Sequence, residues 1–196
     1  AIGYAALETQ NAGADGYNVA VGYQAGTAMT TAIENTLIGG FAGDAITTGS
    51  SNTALGYHSL GAENTGSRAV AIGYGTLHNQ DYNGSSYNVA VGYDAGAAVT
   101  TGIRNVLIGG LAGDSLTTGS SNIAIGLQAL STEDEHGLNI AIGHNALTSL
   151  NAGADAYNVA IGHFAGENMT TGAQNTILGG LAGDALTTGS YNVAIG

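Results

Sequence analysis

The chain has 196 residues, 44% of them apolar and only 8% charged, so a packed interior is expected and disorder is disfavoured. Its net charge is −12, with Arg68 and Arg104 as the only strong bases, which excludes the clustered cations that nucleic acids and anionic membrane surfaces require. Glycine takes 34 positions without a three-residue period, which excludes collagen.

The elements follow one another as copies of a single string, Asn-x-Ala-Ile/Val-Gly and its variants. In the first stretch, residues 1–70, the string ends at Gly3, Gly22, Gly39 and Gly56. In the second, 71–140, it ends at Gly73, Gly92, Gly109 and Gly126, and in the third, 141–196, at Gly143, Gly162, Gly179 and Gly196. The spacings run 19, 17, 17, 17 and then repeat, so a 17-residue unit is nested in a 70-residue one. Each unit carries a short alternating run, such as Val19-Ala20-Val21 or Ile140-Ala141-Ile142, that predicts a strand with β-branched residues on one face and alanine on the other. Seventeen residues are too few for a helical hairpin, and no helical stripe is present. The predicted fold is all-β, a parallel β-solenoid (β-roll) with one coil per unit, forming a single repeat domain over 1–196. Twelve coils at ~4.8 Å each make a rod on the order of 55 Å long. Both ends fall inside the motif, so a segment of a longer array is expected.

Two further columns describe the coil. Four residues after the reference glycine stands either Leu (Leu7, Leu60, Leu77, Leu130, Leu147) or Gly, and seven after it stands a large apolar residue wherever the first is Gly. Each coil thus takes one bulky side chain from either of two places, as a close-packed interior demands. Where the fourth residue is Leu, the seventh is polar (Gln10, Glu63, Gln80, Glu133), with Leu150 the exception. The strand alanines, and those three after the glycine (Ala6, Ala25, Ala42, Ala95, Ala112, Ala129, Ala146, Ala165, Ala182), are expected to form flat outer walls that let a neighbouring chain approach. Asparagine opens ten motifs, at Asn18, Asn35, Asn52, Asn88, Asn105, Asn122, Asn139, Asn158, Asn175 and Asn192, and is read as a corner ladder of stacked amides.

The Asn-Val-Ala-Ile-Gly-x-x-Ala strings resemble the head repeats of YadA-like trimeric autotransporter adhesins. The longer Thr-Thr-Gly-Ser-x-Asn-x-Ala-Ile/Leu-Gly string, as at Thr187–Gly196, is similar to repeats of phage tail fibres of the endosialidase-chaperone type. The resemblance covers the whole chain. It implies a left-handed β-roll assembled as a homotrimer, extracellular on a cell or virion surface, that mediates or spaces attachment to a host-surface or glycan receptor. The coils are longer than the usual adhesin-head repeat, and alanine often replaces its serine. Two other readings stand beside it: a monomeric ice- or carbohydrate-binding solenoid, and the shaft of a tailspike whose enzymatic part lies elsewhere.

Candidate chemistry is sparse. None of the constellations that define a catalytic site is present, so no enzyme activity is expected. Asp44, Asp114 and Asp184 recur in Gly-Gly-x-Ala-Gly-Asp-x-Ile/Leu, near the calcium-binding nonapeptide, but only once per four coils and without a second carboxylate. They are the calcium candidates, and no other cofactor is expected. One residue after the glycine runs a column of Tyr4, Tyr23, Tyr57, Tyr74, Tyr93, His144 and His163, suited to an interface or to stacking on sugars. A three-fold ring of His144 or His163 would hold a metal or anion. Thr-Thr pairs, such as Thr30-Thr31 and Thr100-Thr101, raise ice binding, but their column is broken and adjacent residues of a strand face opposite ways.

Overall fold

The computed structural model describes residues 1–13 and 15–196. It is a parallel β-solenoid. Eleven three-residue strands, β1 (Val19–Val21), β2 (Thr36–Ile38), β3 (Thr53–Leu55), β4 (Val70–Ile72), β5 (Val89–Val91), β6 (Val106–Ile108), β7 (Ile123–Ile125), β8 (Ile140–Ile142), β9 (Val159–Ile161), β10 (Thr176–Leu178) and β11 (Val193–Ile195), pair in chain order in one sheet. Each residue pairs with its copy one coil on, as Val19 with Thr36 and Val21 with Ile38. Where the spacing is 19 the register is kept, as Val70 with Val89, so the two extra residues are absorbed outside the sheet. Ile2 adds a single parallel bridge to Val21.

The reference glycines are forced by how closely coils stack. A Cβ on Gly22 would lie 2.4 Å from the carbonyl oxygen of Gly39, and one on Gly56 would lie 2.2 Å from that of Gly73, so no side chain fits. Backbone bonds between coils continue past the strands. Phe41 N–H donates to Tyr23 O at 2.8 Å, Leu60 N–H to Thr76 O at 3.0 Å, and Thr47 N–H to Asn64 O at 2.8 Å. Corners are turned by residues with φ between 49° and 65°, and many of them, such as Leu60, Leu77 and Tyr87, are not glycine. Left-handed backbone costs such residues about 1–2 kcal/mol each, which the inter-coil bonds and the core must offset.

The core corrects the expected direction of the alanine walls. Ala20, Ala54, Ala71, Ala90, Ala124, Ala141 and Ala160 are fully buried, and so are Ala25, Ala42, Ala95, Ala112, Ala129, Ala146 and Ala165. Both alanine columns therefore line the interior, and the β-branched residues flanking each strand alanine face outward. The physical reason is room. A coil this narrow accepts only one or two large side chains per layer, and the strand centre is one of the places that must stay small.

Three strand centres are large, namely Leu37, Leu107 and Ile177, all fully buried. A Cβ on Gly26 would meet Leu37 Cδ1 at 2.7 Å, and one on Gly43 would meet Leu37 Cδ2 at 2.9 Å. One leucine thus fills the space vacated by two glycines, in its own coil and in the coil before. The trade of volume has three partners rather than two, and its cycle spans four coils.

Candidate interaction surface

The outward residues of the strands make two continuous columns, apolar except at Thr36, Thr53 and Thr176. One runs Val19, Thr36, Thr53, Val70, Val89, Val106, and onward; the other runs Val21, Ile38, Leu55, Ile72, Val91, Ile108, and onward. All are part-exposed or exposed, with Ile38, Leu55 and Ile108 each 37% accessible. Strand alternation puts them here, because the single inward residue of each triplet is its middle one.

Next to these columns lie Tyr4, Tyr23, Tyr57, Tyr74 and Tyr93, all exposed. Coil stacking brings their rings face to face. Tyr74 and Tyr93 are 5.3 Å apart at an interplanar angle of 8°, and Tyr4 and Tyr23 are 5.3 Å apart at 13°. Gly40 interrupts the column, and Phe41 fills the gap edge-on to both Tyr23 and Tyr57. Beyond Gly110 and Leu127, His144 and His163 form a separate stacked pair at 4.8 Å. Tyr74 is covered on both faces, by Tyr57 and Tyr93, and each of the other tyrosines on one, which reduces the bare ring face that stacking on a sugar needs. Where the column meets the following turn, a cleft of about 320 Å³ is lined by His58, Tyr74, His78, Tyr93 and Asp94.

At the other end of the strands, four of the ten motif asparagines are preceded by an exposed tyrosine, Tyr17, Tyr87, Tyr157 and Tyr191. Sequence reasoning passed over them. The signal was there in the Tyr-Asn-Val strings, which recur every 70 residues at the first three of these positions.

The motif asparagines point inward. Asn35, Asn52, Asn88, Asn105, Asn122, Asn139, Asn158 and Asn175 are buried, while Asn18 and Asn192 at the two ends are partly so. Asn35 N–H donates to Asn18 Oδ1 at 2.8 Å, and the same bond joins Asn105 to Asn88 and Asn122 to Asn105. Their Nδ2 groups donate across the coil, Asn52 to Gly66 O at 2.9 Å and Asn105 to Gly119 O at 2.8 Å. At Ala69 the ladder lacks an amide, and Asn88 instead donates to Gln80 Oε1 at 2.7 Å. These amides are consumed by the chain itself.

Threonine hydroxyls are engaged in the same way. Thr30, Thr100 and Thr170 Oγ1 donate to the carbonyls of Thr47, Thr117 and Thr187 one coil on. Asp44 and Asp114 each keep a buried Oδ1 without a hydrogen-bond partner, and burial raises both carboxyls above their ordinary range. Asp184 is exposed. None of the three joins two other potential metal ligands; among the described residues the group that does is Glu133, Asp134 and His136.

Glu63, Gln80 and Glu133 occupy the polar variant of the seventh position, and all three are fully buried. Glu63 Oε1 accepts from Gly66 N–H at 2.7 Å and Asn64 N–H at 3.1 Å, while its Oε2 accepts from Gln80 Nε2 at 2.9 Å. Burial raises both carboxyls above their ordinary value, and the hydrogen bonds oppose this only in part. Their column was legible as a core column from Met29, Ile46 and Val99, which share it.

By architecture the chain is a repeat protein of the parallel β-solenoid class. Comparison with protein-family models, with curated proteins and with solved structures gives no match.

Proposed function

We propose that the chain is a structural segment of an extracellular attachment fibre, on a cell or virion surface, and that three copies pack side by side through the outer faces of their sheets. The observation that carries this reading is the pair of exposed apolar strand columns. Eleven triplets, each about 10 Å wide, on a rod of about 50 Å leave roughly 500 Å² of apolar sheet bare, near the upper end of what soluble monomers expose. Flanking tyrosines, with flat rings and wet hydroxyls, suit the rim of such an interface. The buried alanines play no part in it. The resemblance to adhesin-head and tail-fibre repeats leads to the same assembly, in which the segment spaces or presents a receptor-binding element rather than performing catalysis.

Light scattering on a size-exclusion column tests this directly. The expected mass is three times the 19.2 kDa of the chain. Ile108→Lys, at the centre of the outer face, is expected to reduce it to that of one chain while the solenoid's circular dichroism persists. A monomeric wild type overturns the trimer and directs attention to the cleft at Tyr74 and Tyr93, through a glycan array, and to freezing hysteresis.

A further inference from the structure

Glu63 and Glu133 stand at the same place in the coil, 70 residues apart, yet their surroundings differ in a concerted way. Around Glu63 every oxygen is satisfied, by Asn64 and Gly66 within the loop and by Gln80 from the next coil. Around Glu133 the position of Gln80 is taken by Leu150, that of Gly66 by His136, and that of Asn64 by Asp134. The neutral donor that capped the carboxylate is gone, and two side chains able to ligate a cation have arrived beside it.

What remains is a buried carboxylate oxygen whose polar neighbours, on His136, lie outside hydrogen-bond geometry. Glu133 is 0% exposed; its Oε2 accepts from Ala152 N–H at 3.2 Å, but its Oε1 has no hydrogen-bond partner. His136 Nδ1, also buried and without a hydrogen bond, faces that oxygen at 3.6 Å. This is too long for a hydrogen bond. It is close to the roughly 3.4 Å between two ligand atoms of a tetrahedral ion with bonds of about 2.1 Å. Asp134 accepts from Glu135 N–H at 2.7 Å, which orients its carboxylate, and one ligand atom from each of Glu133, Asp134 and His136 lies within 4.8 Å of the other two. The His136 side chain is 27% exposed, so the cluster opens to solvent on one side.

We propose that Glu133, Asp134 and His136 form a binding site for one divalent transition-metal ion of the zinc class, with water completing the coordination. Two carboxylates and an imidazole make a donor set of that class, whereas calcium and magnesium take oxygen ligands. The ion would tie the loop after β7 to its own coil, replacing the hydrogen-bonded cap that Gln80 supplies to Glu63.

The test is calorimetric titration of the chelator-treated full chain with zinc chloride, and in parallel with calcium chloride. One zinc ion per chain is expected, with no comparable calcium heat. Glu133→Gln and His136→Gly each place at this site a residue type that the fold already accommodates in its buried loops, at Gln80 and Gly66, so both are expected to fold. Each should weaken zinc binding at least about tenfold. His136→Ala/Asp134→Asn should abolish it. The proposal is overturned if zinc gives no saturable binding up to millimolar concentration, which would leave Glu133 and His136 as a simple ion pair. It is equally overturned if binding survives these variants unchanged, which would place the ion elsewhere, or if calcium binds as tightly as zinc.

Discussion

Ionisable groups in a core are governed by what the neighbouring coil supplies. Glu133 shares its column with Met29, Ile46 and Val99, and burial raises its carboxyl above the ordinary 4.5. The native chain therefore binds more protons than the unfolded one between 4.5 and the raised value. Stability is full below 4.5 and falls as pH rises through that window. With metal removed by chelator, Glu133→Gln is expected to match the wild type near pH 4 and to melt a few degrees higher at pH 7, as followed by circular dichroism. Equal melting temperatures at both pH values would show that the carboxylate is solvated rather than buried. The letter alone gave no warning of burial, because a polar residue set among apolar ones along its column, as Glu133 is between Leu116 and Leu150, reads as a surface position. The column, not the residue, carries the information.

At the scale of the coil, the alternation Val-Ala-Val is symmetric about its own plane, and nothing within three residues says which side is inside. That is why coil length, strand position and the need to trade volume were readable from the spacing of Gly22, Gly39 and Gly56, while the facing of the alanines was not. Leu37, Leu107 and Ile177 held the answer, since a lone large residue in an otherwise alanine column belongs where it fills space. Their role predicts a measurable coupling. Leu107→Ala should cost about 2–5 kcal/mol. Adding Gly113→Leu gives that coil the interior of the coil carrying Ala141, Leu147 and Leu150, in which Leu147 already adopts φ of 51°. The double variant is expected to recover at least about 1 kcal/mol in chemical denaturation, whereas Gly113→Leu alone, with Leu107 Cδ2 at 2.8 Å from the new Cβ, should destabilise. Strict additivity would refute the three-way trade. Candidate sites were less legible than the fold for a related reason. The tyrosine column was visible as letters, but its stacking depends on the 5.3 Å approach that only the coil geometry creates.

For the whole molecule, each strand touches only the strands before and after it. Stability is then a sum over coils and the junctions between them, and end coils lack one junction each. Amide hydrogen exchange on this 196-residue chain is expected to show protection rising from β1 and β11 towards β5, β6 and β7. Uniform protection would mean that coupling reaches past neighbouring coils.

The four-coil cycle of the interior also limits how such a chain changes its length. Gly26, Leu37 and Gly43 interlock across two adjacent coils, and the flanking coils carry Leu7 and Leu60 in the complementary phase. Duplicating or deleting a single 17-residue unit would set large residue against large, or leave a void beside alanine. Recombination between whole 70-residue blocks preserves the order of large and small core residues at the joint. The packing of the core thus acts as a reading frame for repeat gain and loss, and lets the rod grow only in steps of about 19 Å.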